Sequence, residues 1–321
     1  MRLFLLCAVI SIILLSTLAG CSQDKPVDTS VRVYTRSDAC GAAETWAKYL
    51  GNSKQEDLKG IAVFGDPGLA EAVARDRSGI GFNNIGFAYD VKTGGQLAGL
   101  CVIPIDLNEN GKIDADENFY NNKSALVKAI AEGRYPSPPA RDLHLVTKSE
   151  FKGLSREFVR WILSDGQKFV DEMGYVSLPD DKVKQELSKL GPADPTLKMQ
   201  GVITVSGAWA LYPMVVRWAE EYQKAYPGVK VDISAGGAGK GMVDALNNMV
   251  DLGMISREIY AEEAGKGACW VSVVKDAVVP VTSSDNPLLQ DILASGLTRQ
   301  SFIDIWVTGK TSDWKAAIQR P

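Results

Sequence analysis

The sequence predicts an α/β protein of two lobes, and three observations lead there. Its 321 residues are 45% hydrophobic and 23% charged, enough apolar material for about two packed domains. Strand-like and helix-like segments alternate along most of the chain. One stretch breaks the alternation: Gly191-Pro192-Ala193-Asp194-Pro195 carries two prolines, a glycine and no apolar period, so 191–200 reads as a linker.

Each element follows from its local pattern. Before the linker, β-branched or apolar runs predict strands at 31–35, 61–64 and 143–146, and helical spacing predicts helices at 43–50, 68–75, 123–132, 155–173 and 181–190. After it come strands at 202–205 and 229–233 and helices at 213–225, 241–249, 287–294 and 299–306. Trp46, Trp161, Trp218 and Trp306 sit among apolar neighbours at helical spacing and belong to the core, as does His144 in its apolar strand.

Residues 1–20 are of another kind. Arg2 is followed by an apolar run from Leu3 to Leu18 and then by Leu18-Ala19-Gly20-Cys21, the small-residue exit that a signal peptidase reads. That tetrapeptide resembles a bacterial lipobox, which implies a lipid on Cys21 and a polar tether over 21–28. An uncleaved membrane anchor is the other reading of the run, and both place the body outside the cytoplasm. Cys7 would leave with the signal and Cys21 would carry lipid. Cys40, Cys101 and Cys269 then remain, an odd set that allows at most one disulfide and has no zinc or iron–sulfur spacing.

Composition also excludes functions. Lys+Arg 35 against Asp+Glu 39 gives a net charge of -4, without the basic excess that nucleic-acid binding relies on. A single histidine, His144, rules out His-rich metal sites and any other His-dependent triad. No nucleophile–base pair or two-metal carboxylate cluster is visible, so no enzyme is predicted.

Three strand-to-helix joints share small residues: Arg36-Ser37-Asp38-Ala39-Cys40-Gly41-Ala42, Ser206-Gly207-Ala208, and 234–241 with its glycines. Such joints leave free backbone N–H groups at helix N-termini facing the strand ends, where ligands of open α/β sheets collect. Converging, they would cradle an anion, with Arg36, Lys240 or Arg257 supplying full charge. The third joint is neither a P-loop nor a dinucleotide fingerprint: Gly237, Gly239 and Gly241 are spaced GxGxG, and Ser234 stands where a P-loop needs glycine.

At these residues the chain resembles a known family. Ile203 through Ala208, Pro213 and Trp218, then Gly236 to Gly239, then Val250 through Glu258 resemble the N-terminal half of the phosphate-type periplasmic substrate-binding proteins of ABC transporters. Residues 31–190 resemble the C-terminal half, the 36–41 loop resembling Arg-x-Asp-x-Ser-Gly-Thr. The resemblance implies a type II periplasmic-binding-protein fold that is circularly permuted, since the two halves come in reversed order. It further implies lobe A from 29–140 plus 277–321 and lobe B from 141–276, with crossings near Arg141 and Val279.

Carried over residue by residue, the resemblance makes Arg36, Asp38, Cys40, Gly41, Ala42, Gly207, Ala208, Trp209, Gly237, Ala238, Gly239, Ser256 and Arg257 the ligand-binding set. It departs from the family at the hydroxyls: Cys40, Ala42, Trp209 and Ala238 stand where serine or threonine is usual, and Ser256 stands where an aspartate takes the phosphate proton. The function implied is an extracytoplasmic lipoprotein that captures a small oxyanion, inorganic phosphate, and delivers it to a membrane permease. The alternative is an anion-sensing or surface interaction protein that kept the fold and lost phosphate transport.

A second site is read from spacing alone. The loop 106–117 matches a calcium loop: Asp106, Asn108, Asn110, Asp114 and Glu117 at positions 1, 3, 5, 9 and 12, Gly111 at 6, the Lys112 carbonyl at 7 and Ile113 at 8. No helix of EF-hand length precedes it and no second copy exists, which predicts a structural Ca²⁺ clip; an Asx-rich surface turn is the bland reading.

Overall fold

The computed structural model describes residues 27–51 and 53–319; the signal 1–20, Cys21 and most of the tether lie outside the described residues. In chain order the elements are β1 (Arg32–Arg36), α1 (Gly41–Tyr49), β2 (Ile61–Val63), α2 (Gly65–Ala74), β3 (Gly79–Asn84), β4 (Leu100–Val102), α3 (Lys123–Ala131) and β5 (Ala140–Lys148). Next come α4 (Gly153–Ile162), α5 (Asp180–Lys189), β6 (Gly201–Gly207), α6 (Tyr212–Ala225), β7 (Val229–Ala235), α7 (Ala238–Leu246), β8 (Leu252–Ile255) and α8 (Ala261–Gly265). The chain closes with β9 (Ala268–Ser283), α9 (Leu289–Ser295), α10 (Arg299–Trp306) and α11 (Trp314–Ile318).

The strands run in the order β2-β1-β3-β9-β5-β8-β6-β7, with β4 on β9. β1 is parallel to β2 and β3, and β6 is parallel to β7 and β8, as crossover helices require. The antiparallel members are β5 and β9. Residues 268–277 of β9 pair with β5, and 278–282 pair with β3. One 16-residue strand therefore passes through both lobes. Its Lys275-Asp276 step and Pro280 interrupt an otherwise valine-rich run, which is why the sequence pattern alone assigned no strand there.

Two separate cores form on either side of that passage. One gathers 34–140, Val176 and 277–317 around Trp46, which meets Phe302 at 5.2 Å and Trp306 at 5.5 Å between ring centroids. Edge-to-face pairs of this kind add about 0.5–1.5 kcal/mol beyond burial. The other gathers 143–274, with Trp218 donating its indole N–H to the Gly166 carbonyl at 2.8 Å. Residues 29 and 314 lie side by side, the Trp314 N–H donating to Thr29 O at 2.7 Å.

The predicted helix over 155–173 is cut short. It ends at Ile162 and a short 3₁₀ turn over 165–169 follows, because Gly166 packs where a Cβ would meet Trp218 Nε1 at 3.1 Å and Trp161 O at 3.2 Å. The helix predicted at 241–249 instead covers Ala238–Leu246. Its three small residues place the helix N-terminus at the strand end rather than beyond it. Among the described residues no helix is long and apolar enough to cross a membrane.

Candidate functional site

The three joints converge between the lobes. Arg36 ends β1 and lies wholly buried, its Nε donating to Asp38 Oδ1 at 2.8 Å, its Nη2 to Asp38 Oδ2 at 2.6 Å and its Nη1 to Asp66 Oδ2 at 2.7 Å. Burial works against the Arg36 charge, and Asp66 and Asp38 outweigh it, so the guanidinium stays protonated. Cys40 caps α1, its backbone N–H donating to Gln55 Oε1 at 3.0 Å; burial pushes its thiol up to about 12, so the sulfur is neutral and no anion. Gly41 and Ala42 open α1, Gly41 against Ser256 of lobe B and Ala42 in the core of lobe A.

From the other lobe, Gly207 ends β6 at φ 134, where a Cβ would stand 2.4 Å from Met254 O; only glycine fits both demands. Ala208 donates its N–H to Met254 O at 2.8 Å. The Trp209 indole lies over Gly65, edge-on to Phe64 at 6.4 Å, an aromatic contact between the lobes. Gly237 caps α7, and a Cβ there would stand 2.7 Å from Ala39 O and 3.0 Å from Asp38 Oδ2. Ala238 is buried behind it, and Gly239 donates to Ala39 O at 3.1 Å, a backbone bond directly across the cleft. Ser256 follows β8, its Oγ 2.3 Å from where a Cβ on Gly41 would be. The lobes are thus closed on each other at the ligand loops.

Arg257 does not join that cradle. Its two Nη atoms fork onto Glu263 at 2.7 and 2.8 Å, and its Nε meets Glu44 of α1 at 3.1 Å. Tyr260 donates its hydroxyl to Glu44, and Lys48 meets Glu258 at 2.7 Å, so this side chain belongs to a network between the lobes. Lys240 is likewise engaged, with Asp244. A cavity of about 1100 Å³ opens beside this network, lined from both lobes by residues including Thr45, Arg141, His144 and Tyr260; of the predicted ligand residues only Arg257 lines it.

Four residues that the sequence analysis did not place among the ligand residues join these loops. Asp66 in the first turn of α2 accepts from the Asn84 N–H and side-chain amide at 3.2 and 2.7 Å. Its joint, Gly65-Asp66-Pro67-Gly68, has the same small-residue character as the other three and was the signal available. Arg141 sits at the lobe crossing, donating from Nε to Ser256 O at 2.7 Å and from Nη2 to Asn84 Oδ1. Asp276 lies 4.0 Å from Arg141, and burial raises its carboxyl to about 6. A hydrogen-bonded line thus runs from Arg36 through Asp66, Asn84 and Arg141 to Ser256. It links the ligand loops of both lobes through residues far apart in sequence.

The 106–117 loop closes on itself. Asp106 accepts from the Asn110 and Gly111 N–H groups at 3.3 and 2.8 Å, and Glu117 accepts from Leu107, Asn108 and Asp114 at 2.9, 3.1 and 3.2 Å. Asp114 accepts from the Asn108 and Asn110 side chains, and Lys112, Asn110 and Asn108 hold its carboxyl down at about 2. Among the described residues no group of three or more His, Cys, Asp or Glu side chains is gathered so as to hold a metal ion; Asn and backbone oxygens, which the calcium reading also uses, fall outside that set. Cys40, Cys101 and Cys269 are free thiols. His144 is packed, its Nδ1 3.2 Å from Ser272 Oγ.

Two α/β lobes joined by crossing strands and closing their strand-end loops over a buried arginine define a periplasmic-binding-protein fold. A family model described as a PBP superfamily domain matches residues 17–166 and 192–320, and the chain belongs to that superfamily. It is 25% identical over 326 residues to the phosphate-binding protein PstS 2 of Streptococcus agalactiae serotype V, covering 98% of this chain and 97% of that protein. The phosphate-binding protein PstS of Bacillus subtilis is 29% identical over 119 residues, 37% of this chain and 38% of that protein. Among solved structures, a phosphate-binding protein of a phosphate ABC transporter from Streptococcus pneumoniae TIGR4 has a TM-score of 0.57 at 21% identity, over 90% of this chain and 99% of that one.

Proposed function

We propose that this chain captures inorganic phosphate between its lobes and presents it to the permease of an ABC importer. The observation that carries the reading is the buried Arg36 at the end of β1, whose following loop meets the joints of β7 and β8, in a chain whose likeness to a phosphate-binding protein covers nearly its whole length. Helix N-termini and a guanidinium supply donors for oxyanion oxygens even where Cys40, Ala42 and Ala238 lack hydroxyls. The likeness over nearly the whole length of both chains favours transport over a sensing or surface-interaction role. The test is calorimetric titration with phosphate, arsenate and sulfate: micromolar or tighter phosphate binding without turnover supports the reading, and no binding of any of the three ends it.

Three finer features belong to the same proposal. Residues 1–20 act as a lipoprotein signal, and a lipid on Cys21 anchors the body on the outer side of a membrane; mass spectrometry of the membrane-extracted chain checks the lipid. The order of the halves is a circular permutation, supported by the adjacency of residues 29 and 314 and by an exposed linker at 191–200 that can join former ends. Loop 106–117 holds a structural Ca²⁺ through Asp106, Asn108, Asn110, the Lys112 carbonyl, Asp114 and Glu117, supported by their motif spacing and by the buried Asp106 and Glu117 carboxylates.

A further inference from the structure

We propose that Gln55 is a positioning residue for ligand capture: its side-chain amide fixes the Ala39–Cys40 peptide so that the carbonyl of that peptide meets lobe B when the lobes close. The inference rests on the phosphate reading and deepens it.

Gln55 opens a short 3₁₀ turn over 55–57, between α1 and β2. Its Nε2 donates to Asp38 O at 2.6 Å, and its Oε1 accepts from the Cys40 N–H at 3.0 Å. Only this orientation of the amide sets a donor against the carbonyl and an acceptor against the N–H. The two bonds bracket Ala39 and pin the peptides on either side of it.

The pinned peptide is also the one that touches the other lobe. Ala39 O, which shares its peptide unit with the Cys40 N–H, accepts from the Gly239 N–H at 3.1 Å. A trans peptide points its N–H and C=O in opposite directions, so Gln55 holds one side of the unit and Gly239 the other. Hydrogen bonds in such a chain polarise and strengthen one another. Lobe B leaves the unit no slack: a Cβ on Gly237 would stand 2.7 Å from Ala39 O, and one on Gly239 would stand 2.6 Å from Ala39 Cβ. A tilt of the peptide would therefore break the Gly239 bond or drive Ala39 into α7. It would also turn the first N–H groups of α1, which begins one residue further on at Gly41. The outer side of Gln55 lines the cavity of about 1100 Å³, together with Glu44 and Lys48 of α1, Lys54 and Glu56 beside it, and Arg257 and Glu262 of lobe B.

The experiment is phosphate calorimetry on the full chain from pH 5 to 8, with amide exchange of the ligand-free chain by NMR, on the wild type, Gln55→Ala, Gln55→Glu and Lys54→Ala. Affinities are taken relative to the wild type at each pH, so that the ionisation of phosphate and of the surrounding groups divides out. Gln55→Ala should bind at least tenfold more weakly at every pH and exchange its Gly239 amide at least tenfold faster. The Ala208 amide, which donates to Met254 O within lobe B, should exchange as in the wild type. Gln55→Glu should show the same loss near pH 8, where a carboxylate cannot donate to Asp38 O, and recover towards the wild type near pH 5 as its acid form regains the donor. Lys54→Ala, on the same turn, should behave as the wild type. Wild-type affinity in Gln55→Ala, weakened binding with Gly239 exchange unchanged, or no recovery of Gln55→Glu on acidification each overturns the inference and leaves the phosphate reading standing. If the wild type binds no oxyanion, the phosphate reading falls, and the Gly239 exchange of ligand-free Gln55→Ala alone decides the role of Gln55.

Discussion

Removing the Glu44 carboxylate should loosen the closed cleft. Glu44 of α1 is one acceptor by which lobe A holds lobe B: it meets Arg257 Nε at 3.1 Å and takes the Tyr260 hydroxyl. Burial raises its carboxyl, and Tyr260 and Arg257 oppose that rise. In Glu44→Ala, Arg257 keeps its fork on Glu263, so it is not left as an unpaired buried charge. The loss is therefore one partly exposed ion pair and one hydroxyl bond, about 1 kcal/mol each. Lys48–Glu258 cannot substitute, since an exposed pair contributes about 0–1 kcal/mol. About 2 kcal/mol taken from the closed form shifts the closed–open ratio roughly thirtyfold. Two readouts follow: up to about thirtyfold weaker phosphate binding by calorimetry, and a larger radius of gyration for the ligand-free chain in small-angle scattering. Unchanged affinity together with unchanged dimensions would refute the role assigned to this network.

Three further outcomes are expected. Gly41→Ala should weaken phosphate binding at least tenfold by calorimetry, because its Cβ would stand 2.3 Å from Ser256 Oγ and 2.5 Å from Ser256 O, while lobe stability by circular dichroism holds or rises slightly, alanine being the better helix former. His144 and Asp276 should give opposite pH slopes of stability. Burial lowers His144 to about 4, so its neutral packing stabilises above its unfolded pKa near 6.5, and that stability is lost as pH falls towards 4. Asp276, raised to about 6, favours the fold when protonated, and that stability is lost as pH rises from about 4 through 6. Each effect is on the order of 3 kcal/mol; melting curves of His144→Gln and Asp276→Asn across pH 4–8 should each lack one slope. Finally, excess Ca²⁺ should raise the melting temperature of the chain relative to chelator, by about 2.7 kcal/mol of stability at a hundred times the dissociation constant, and Glu117→Gln should abolish the rise.

Most of the helices and the strands β1, β2, β5, β6 and β7 were legible because a 3.6-residue period and β-branched runs are local signals. β9 was not, because Lys275, Asp276 and Pro280 interrupt its valines and its meaning lies in pairing with β5 and β3. Arg36 and the glycine joints were legible as strand-end loops, since strand-end glycines and a basic residue declare themselves within a few positions. Arg257 looked equivalent on the page of residues. Its surroundings, Glu44 from another lobe and Glu263 six positions on, assign it to closure instead.

By itself the sequence determined the α/β class, the motif spacing of the 106–117 loop and the small-residue joints, because each depends on neighbours within about a dozen positions. Only the tertiary structure decided which charges meet. Asp66, Asn84, Arg141 and Asp276 stand 30 to 240 residues from Arg36, and no local period marks them. Packing alone brings two carboxylates onto one buried guanidinium. Since a charge removed from water is governed by its nearest partners, such a pairing is decided in space and not by order along the chain.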